Sequence, residues 1–313
     1  MYKRDNLIIQ IATLYYEEKL TQAEIAKKLH ISRPTVSHML NEARDRGIVT
    51  ITIHHPDSNL YSKQHEIVKK YGLRTVQIAN GSLSDENIKK ELGQLCAQYI
   101  ENRINDFTKL GLGWGTTIFE YINQATYTKS KNLEIIPLIG GIGIQDTQFH
   151  SNHLAFRLSE KYNCDVSYFY APAFAESAEV RGLFESTTLY QDIYNKGLEV
   201  DIAILGVGNP IESSTYKSLG YFSKEEENQI RDSGAIGDIL GSFFDKNGNK
   251  ISIPITERMM GIALNDIHKI PEILVLASGK EKVLSIKILL EMGLLDHIII
   301  DKEIADGLLN NEL

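Results

Sequence analysis

Two sets of residues in this 313-residue sequence have the types and spacing to do chemistry. The first runs from Ser32 to Arg44. On a helical projection Val36, Leu40 and Ala43 fall on one side with Met39 beside them; Arg33, Thr35, Ser37, His38, Asn41 and Arg44 fall on the other. An arginine fork matches the O6/N7 edge of guanine, and an asparagine amide matches the N6/N7 edge of adenine. Serine and threonine hydroxyls serve base edges or phosphates. Such a face could read duplex DNA, although His38 serves equally well as solvated surface. The second set is four glycine-bearing segments: Gly113-Trp114-Gly115-Thr116-Thr117, Gly140-Gly141-Ile142-Gly143, Val207-Gly208-Asn209 and Ser278-Gly279-Lys280-Glu281-Lys282. Glycine lets the backbone approach an anion, a helix start offers unpaired N–H groups, and Thr116 and Thr117 add hydroxyls. Taken singly, each reads as a tight turn. Four of them, each following an apolar strand-like run, point to one shared pocket.

The elements that must hold the first set are legible. A helix is expected from about Asp5 to Glu18, with Leu7, Ile8, Ile11, Ala12, Leu14 and Tyr15 on one face. Thr21-Gln22-Ala23-Glu24 is a capping box opening a second helix through Leu29, where the small Ala26 suits a close helix crossing. After a turn at His30-Ile31, Ser32 caps the third helix, with Pro34 in its first turn. Thr21, Gln22 and Ser32 stand at helix starts, where phosphate contacts are favoured. Gly47 should end the third helix, and Val49, Ile51 and Ile53 alternate as a short strand. The competing reading is a three-helix subdomain with an ordinary polar surface. Cap, small residue, turn and donor-rich face fall in register, as a helix-turn-helix requires.

The second set belongs to a larger body. Pro56-Asp57-Ser58 breaks the chain, and a linker helix is expected from about Asn59 to Tyr71, closed by Gly72. Strand-like runs then alternate with helical ones: 76–79, 109–112, 135–139, 166–170, 202–206, 273–277 and 297–300, with helices from about 85 to 104, from 117 and from 151. This alternation with near-continuously apolar strands predicts an α/β fold with a doubly wound, mostly parallel sheet. Its ligands bind at the carboxyl ends of the strands. The expected division is residues 1–55 for DNA, 56–72 as linker helix, and 73–313 for a ligand. Charge agrees: residues 1–55 carry a net +2 within a chain of net −8, a mildly basic head on an acidic body.

Other classes find little support. No apolar run approaches the ~18–20 residues that span a bilayer, so no membrane partner is expected. Cys96 and Cys164 sit in apolar surroundings without CxxC spacing and read as free thiols of a reducing cytoplasm. Asp245-Lys246-Asn247-Gly248-Asn249 imitates a calcium loop, but its glycine is misplaced and the closing glutamate is missing. Asn247-Gly248 reads instead as a hairpin turn between Phe243-Phe244 and 251–253. His54-His55 lacks acidic or thiol companions, so neither metal nor cofactor is expected.

The segments Leu14-Tyr15-Tyr16-Glu17, Leu20-Thr21-Gln22-Ala23-Glu24-Ile25-Ala26 and Ile31-Ser32-Arg33-Pro34-Thr35-Val36-Ser37 resemble the head of the SorC-type sugar-responsive regulators, and the resemblance runs through nearly the whole chain. It implies a body related in fold to sugar-phosphate isomerases and glucosamine-phosphate deaminases. It also implies a sugar or sugar-phosphate effector and a homo-oligomer, dimer or tetramer, on a palindromic double-stranded operator. Gly113-Trp114-Gly115-Thr116-Thr117 matches the family's effector loop, Lys282 the lysine of its Gly-x-x-Lys pattern, and Gly237-Asp238-Ile239 a further motif that makes Asp238 an acceptor for sugar hydroxyls. Where some members carry a basic residue before Gly140, this chain has Ile139, so binding without a Schiff base is expected. The alternative is a sugar-phosphate isomerase or deaminase with a DNA-binding head. Such an enzyme needs a second positioned acid or base beside Asp238, and the glycine loops supply no evident one.

Overall fold

The computed structural model describes residues 2–46, 48–49, 58–79, 84–130, 132–141, 147–213, 215–218 and 220–310. The chain divides into two compact units, Met1–Ser58 and Asn59–Leu313.

The first unit holds helices α1 (Tyr2–Tyr16), α2 (Gln22–Leu29) and α3 (Arg33–Asp45). Ile8, Ile11, Leu14, Ile25, Val36, Leu40 and Ala43 close its core, with Ala26 buried at the crossing. Each large aliphatic side chain buried there contributes ~1.5–3 kcal/mol. The capping box at Thr21 forms with both reciprocal bonds, and Ser32 caps α3 through the Thr35 N–H at 3.2 Å. Between the helices His30 takes the left-handed conformation at φ 55°, which makes the turn tight. α1 begins at Tyr2, ahead of the expected Asp5. Arg4–Glu42 at 3.0 Å and Asp5–Arg46 at 2.8 Å tie its first turn to the end of α3. Gly47 and most of the expected strand at 49–53 lie outside the described residues.

The second unit opens with α4 (Ser58–Tyr71), closed by Gly72 at φ +70°. There follow β1 (Thr75–Ile78), α5 (Asp85–Asn102), β2 (Lys109–Leu112), α6 (Thr116–Gln124), β3 (Glu134–Pro137), α7 (Ser151–Tyr162) and β4 (Asp165–Val166). Next come α8 (Ala178–Glu185), α9 (Thr188–Leu198), β5 (Ile202–Gly206), α10 (Thr215–Ser218) and α11 (Lys224–Asp232). The chain ends with β6 (Gly237–Ile239), β7 (Ser242–Phe244), β8 (Ile273–Ala277), α12 (Val283–Glu291), β9 (His297–Ile300) and α13 (Lys302–Leu309). Seven strands form one sheet in the order β1-β9-β8-β5-β2-β3-β4, and every pairing in it is parallel. Consecutive residues of β8 and β9 are all buried, so both faces of the sheet are covered.

Three expectations need correction. The strand expected at 166–170 stops at Val166. The Asn152 side chain takes both the N–H and the carbonyl of Phe169, at 2.8 and 3.1 Å, and so removes that stretch from the sheet. The hairpin expected at Asn247-Gly248 forms, with Phe244 bridged antiparallel to Lys250 and the Ile251 N–H on the Phe243 carbonyl at 2.8 Å, but its second arm ends there instead of running on to Ile253. The Thr256 hydroxyl binds the Ile253 N–H at 2.9 Å and the Ile251 carbonyl at 3.0 Å. β7 also pairs with β6, antiparallel. Finally, α4 is more than a linker: Ile67 is fully buried in the core of the second unit, and the Tyr71 hydroxyl donates to the Leu308 carbonyl at 3.1 Å. Asp245 spends its carboxylate on the Asn247 and Asn249 N–H groups, at 2.8 and 2.9 Å.

α5 and α6 meet at Gly93, where a methyl group would stand 2.6 Å from the carbonyl carbon and oxygen of Glu120. Alanine is favoured over glycine inside a helix by ~1 kcal/mol, whereas overpacking costs ~1–3 kcal/mol. The obstacle is backbone, so overpacking should win. Gly93→Ala is expected to lower stability by ~1–2 kcal/mol in urea unfolding. An unchanged or raised midpoint would show that the two helices separate freely.

Candidate functional site

The strand order places the site before any side chain does. From β2 the chain moves outward through β3 to β4, then returns to the other side of β2 as β5 and continues through β8 to β9. The loops leaving β2 and β5 therefore diverge, and the crevice between them at the carboxyl edge is where such sheets take ligands. A cavity of about 270 Å³ lies there. It is lined by Trp114–Thr117 after β2, Gly206–Gly208 after β5, Ser278–Lys282 after β8, Asp238 and Leu240, Ser213 and Tyr216, Glu303 of α13, and Asp85 and Lys89 of α5.

Each loop is pinned. Gly115 stands at φ +117° as the residue before α6, with no side-chain cap over that helix start. Gly208 pairs with Asp238 through two backbone bonds, at 3.1 and 3.0 Å, which carries β6 into the crevice. A methyl at Gly208 would stand 2.2 Å from Asp238 Oδ1, so only glycine leaves that carboxylate its place. Asn209 binds the Glu281 carbonyl at 3.0 Å and joins the β5 loop to the β8 loop. Gly279, at φ +103°, donates its N–H to Asp301 Oδ2 at 2.6 Å.

The lining is under-satisfied. Two buried side-chain oxygens that line this cavity, Asp238 Oδ1 and Ser213 Oγ, lack a hydrogen-bond partner among the described residues, and the Tyr216 hydroxyl beside them is met by the Trp114 indole. Buried polar atoms are rarely left so, because each costs ~1–3 kcal/mol unless a ligand or water completes it. Burial pushes the Asp238 carboxyl up to about 7, against the opposing pull of Lys282. Burial likewise lowers the Lys282 ammonium; Lys89 pushes the same way, and Glu281, Asp238 and Asp301 partly restore it. Lys282 forms no ion pair among the described residues. An anion seated near Lys282 and Lys89 would relieve their repulsion, and the uncapped start of α6 would add N–H donors.

Of the sequence candidates, Gly115, Thr116, Thr117, Gly208, Asp238 and Lys282 are brought together here. Gly113 is not on the wall: its N–H binds the Ile204 carbonyl at 2.9 Å and extends the β2–β5 pairing. Gly140 and Gly141 follow β3, on the far side of β2 from the crevice. Their N–H groups bind Met260 and Ala171 carbonyls; a methyl at Gly140 would stand 2.3 Å from the Pro172 oxygen, so Gly140 serves packing, whereas one at Gly141 would stand at an ordinary 3.9 Å from the Ala171 oxygen. Asp85, Lys89, Ser213, Tyr216 and Glu303 escaped the sequence reading. Asp85 and Lys89 open a helix after a strand of this sheet, which was the available signal. Ser213 lies in irregular chain and Tyr216 in the single-turn helix α10, too short to show a period, and they gave none.

In the first unit Ser32, Arg33, His38 and Asn41 are exposed, and Gln22, Thr35 and Ser37 are half-buried. Arg33 is held by no ion pair among the described residues, and it borders a concavity with Tyr15, Lys19, Thr21 and Gln22. The Thr21 and Ser32 hydroxyls are engaged in their caps, at 2.7 Å from Glu24 Oε2 and from Thr35 Oγ1. Asn41 accepts from Arg44, which leaves its amide N–H groups for another partner.

Residues 55–310 match the family model Sugar-bind, a sugar-binding domain, and residues 10–46 match that of sigma-70 region 4. The full-length sorbitol operon regulator SorC from Klebsiella pneumoniae superposes with a TM-score of 0.75 at 25% identity, over 97% of this chain and 98% of that one. The chain belongs to the SorC family of transcriptional regulators. Within that family, the deoxyribonucleoside regulator of Bacillus subtilis (strain 168) is 30% identical over 310 residues, 99% of either chain. A DeoR family transcriptional regulator from Listeria monocytogenes shares 30% identity at a TM-score of 0.75, over 80% of this chain and 99% of that one. Among the described residues no helix is long and apolar enough to cross a membrane.

The burial of Asp238 has a consequence for stability. With its carboxyl near 7 in the folded chain against an ordinary 3.8, the folded state holds the proton more tightly. The associated stability is present below about pH 4 and is lost as pH rises through 7. The stability of Asp238→Asn relative to the parent should therefore grow from pH 4 to pH 7, by at most ~1.4 kcal/mol per pH unit, and level off above. A difference independent of pH, measured by urea unfolding, would contradict this.

Proposed function

We propose that this regulator is a repressor of a carbohydrate-utilisation operon, and that a small sugar or sugar phosphate bound in the β2–β5 crevice alters its grip on double-stranded operator DNA. The observation that carries the reading is that the buried Asp238 and Ser213 oxygens, without a hydrogen-bond partner among the described residues, face one cavity that also holds Lys282 and the Tyr216 hydroxyl. A polyol offers hydroxyls that donate to a carboxylate and accept from a phenol or alcohol. A phosphate offers the counter-charge for Lys282 and Lys89, with the start of α6 beside it. At about 270 Å³ the space suits one compact sugar, since drug-sized pockets begin near ~300 Å³.

The chain acts by recognition and is not an enzyme in this reading. Asp238 could serve as a base, but proton transfer on a sugar also needs a positioned acid. The neighbouring phenol of Tyr216 is held far above its ordinary range by burial, which makes it a poor proton donor. Arg33, Ser37, His38 and Asn41 of α3 form the base-reading set, and Gln22, Thr35 and the helix starts at Thr21 and Ser32 touch phosphates. Relatives named for sorbitol-operon and deoxyribonucleoside regulation favour a carbohydrate-type effector; two or four copies on a two-fold operator, in the cytoplasm, complete the proposal.

A thermal-shift screen of free and phosphorylated pentoses, hexoses and polyols tests the cavity. A ligand at ~100 times its Kd adds ~2.7 kcal/mol to stability. Lys282→Ala should weaken the responding ligand by about 10- to 150-fold, the worth of one charge-assisted bond. Unchanged affinity would make Lys282 a bystander. Arg33→Ala should weaken operator binding by ~1–3 kcal/mol and relax base preference, without changing ligand affinity. Undiminished specificity would remove Arg33 from the reading face.

A further inference from the structure

Asp301 does not line the cavity, yet its carboxylate binds two elements at once. It is almost fully buried. Oδ2 accepts the Gly279 N–H at 2.6 Å, and Oδ1 accepts the Ile304 N–H at 2.8 Å as the cap of α13. Gly279 begins the loop that presents Lys280, Glu281 and Lys282 to the cavity, in a conformation only glycine adopts easily. The loop and the start of α13 therefore cannot move independently without breaking one of these bonds. A second contact enforces this. A methyl at Gly307 of α13 would lie 2.6 Å from the Val283 side chain, so α13 rests directly on the residue following Lys282.

The other end of α13 is fastened to α4. Asp306 pairs with Lys63, and the Leu308 carbonyl accepts from the Tyr71 hydroxyl at 3.1 Å and the Lys70 ammonium at 2.8 Å. α4 is the helix through which the polypeptide enters the second unit from the DNA-binding unit. Ile304, Ala305 and Leu308 are buried along the length between these attachments, so α13 is held as a rigid body.

We propose that α13 is the lever that transmits occupancy of the cavity to α4, with Asp301 as the positioning residue at the loop end and Lys63–Asp306 and Tyr71–Leu308 as the attachments at the α4 end. The inference rests on the reading of the cavity as the effector site. A ligand drawn to Lys282 moves or locks the 279–282 loop, Asp301 and Gly307 pass that displacement to α13, and α13 shifts α4. A ligand changes an equilibrium only through contacts that differ between two states, and this chain of contacts links those differences to the start of the second unit. Networks of this kind count as coupling only when coupling is measured.

The test separates affinity from transmission. The full chain is titrated with the sugar phosphate that responds in a panel of pentose and hexose monophosphates, with inorganic phosphate as its smallest member. Amide hydrogen exchange of residues 63–71 is read with and without that ligand. In the parent chain, ligand should change exchange in α4 at least threefold. Tyr71→Phe combined with Lys63→Met and Lys70→Met, which leaves the cavity intact, should bind ligand within twofold of the parent while the α4 response disappears. Asp301→Asn, which keeps one acceptor oxygen and the side-chain volume, should lose both tenfold or more in ligand affinity and the α4 response. A full α4 response in the triple variant overturns the lever, as does normal affinity with a normal response in Asp301→Asn. Absence of any responding sugar phosphate in the parent counts against the cavity reading itself, whereas ligand binding without an α4 response in the parent counts against the lever alone.

Discussion

Asp238 is buried in the crevice with one carboxylate oxygen that has no hydrogen-bond partner among the described residues, within the field of a lysine that has no counter-ion among them either. Left to itself this arrangement is unfavourable, since buried charge without a hydrogen-bonded partner is costly. The surrounding residues preserve it. Gly208 forgoes a side chain so that the carboxylate keeps its position, and paired backbone bonds hold β6 against the loop after β5. Strain of this sort persists only where the surroundings over-determine it, and it accumulates where a ligand will relieve it.

The sheet makes the crevice possible. Reversal of strand order between β2 and β5 opens a gap that no crossover fills, and α6 behind it begins without a side-chain cap. The loops around the gap are fastened to one another, Asn209 to Glu281 and Gly279 to Asp301, so the ligand meets a prearranged wall. Those fastenings lead away from the site through α13 to α4. Recognition and transmission thus share one set of bonds, which is economical in a chain where one end must report to the other.

Much of this was legible in the sequence for identifiable reasons. Capping signals at Thr21 and Ser32 mark helix starts locally, and local chemistry decides them. Strands β2, β5, β8 and β9 were readable because burial on both faces makes them continuously apolar. The glycines were harder. Gly115 and Gly208 line the cavity, whereas Gly140 serves close packing against 171–172, and no local pattern separates the two uses. Only strand order does, and strand order is a property of distant pairings. The same holds for the lost strand at 166–170, which yielded to a side chain fourteen or more residues away in sequence, Asn152. Ser213 and Tyr216 were invisible because irregular chain and a four-residue helix carry no periodicity. Lys282 and Asp238 became candidates through the resemblance of Gly279–Lys282 and Gly237-Asp238-Ile239 to family motifs, and the structure sets both on one cavity.

The most direct test of the central claim is the titration of the Asp238 carboxyl carbon by NMR, in the free chain and in the chain saturated with a responding sugar or sugar phosphate. Accepting a ligand hydroxyl stabilises the ionised form. The account predicts a midpoint near 7 in the free protein and an ionised Asp238 down to at least pH 6 in the complex. An identical midpoint in both states, with ligand bound, would contradict it and move the effector elsewhere.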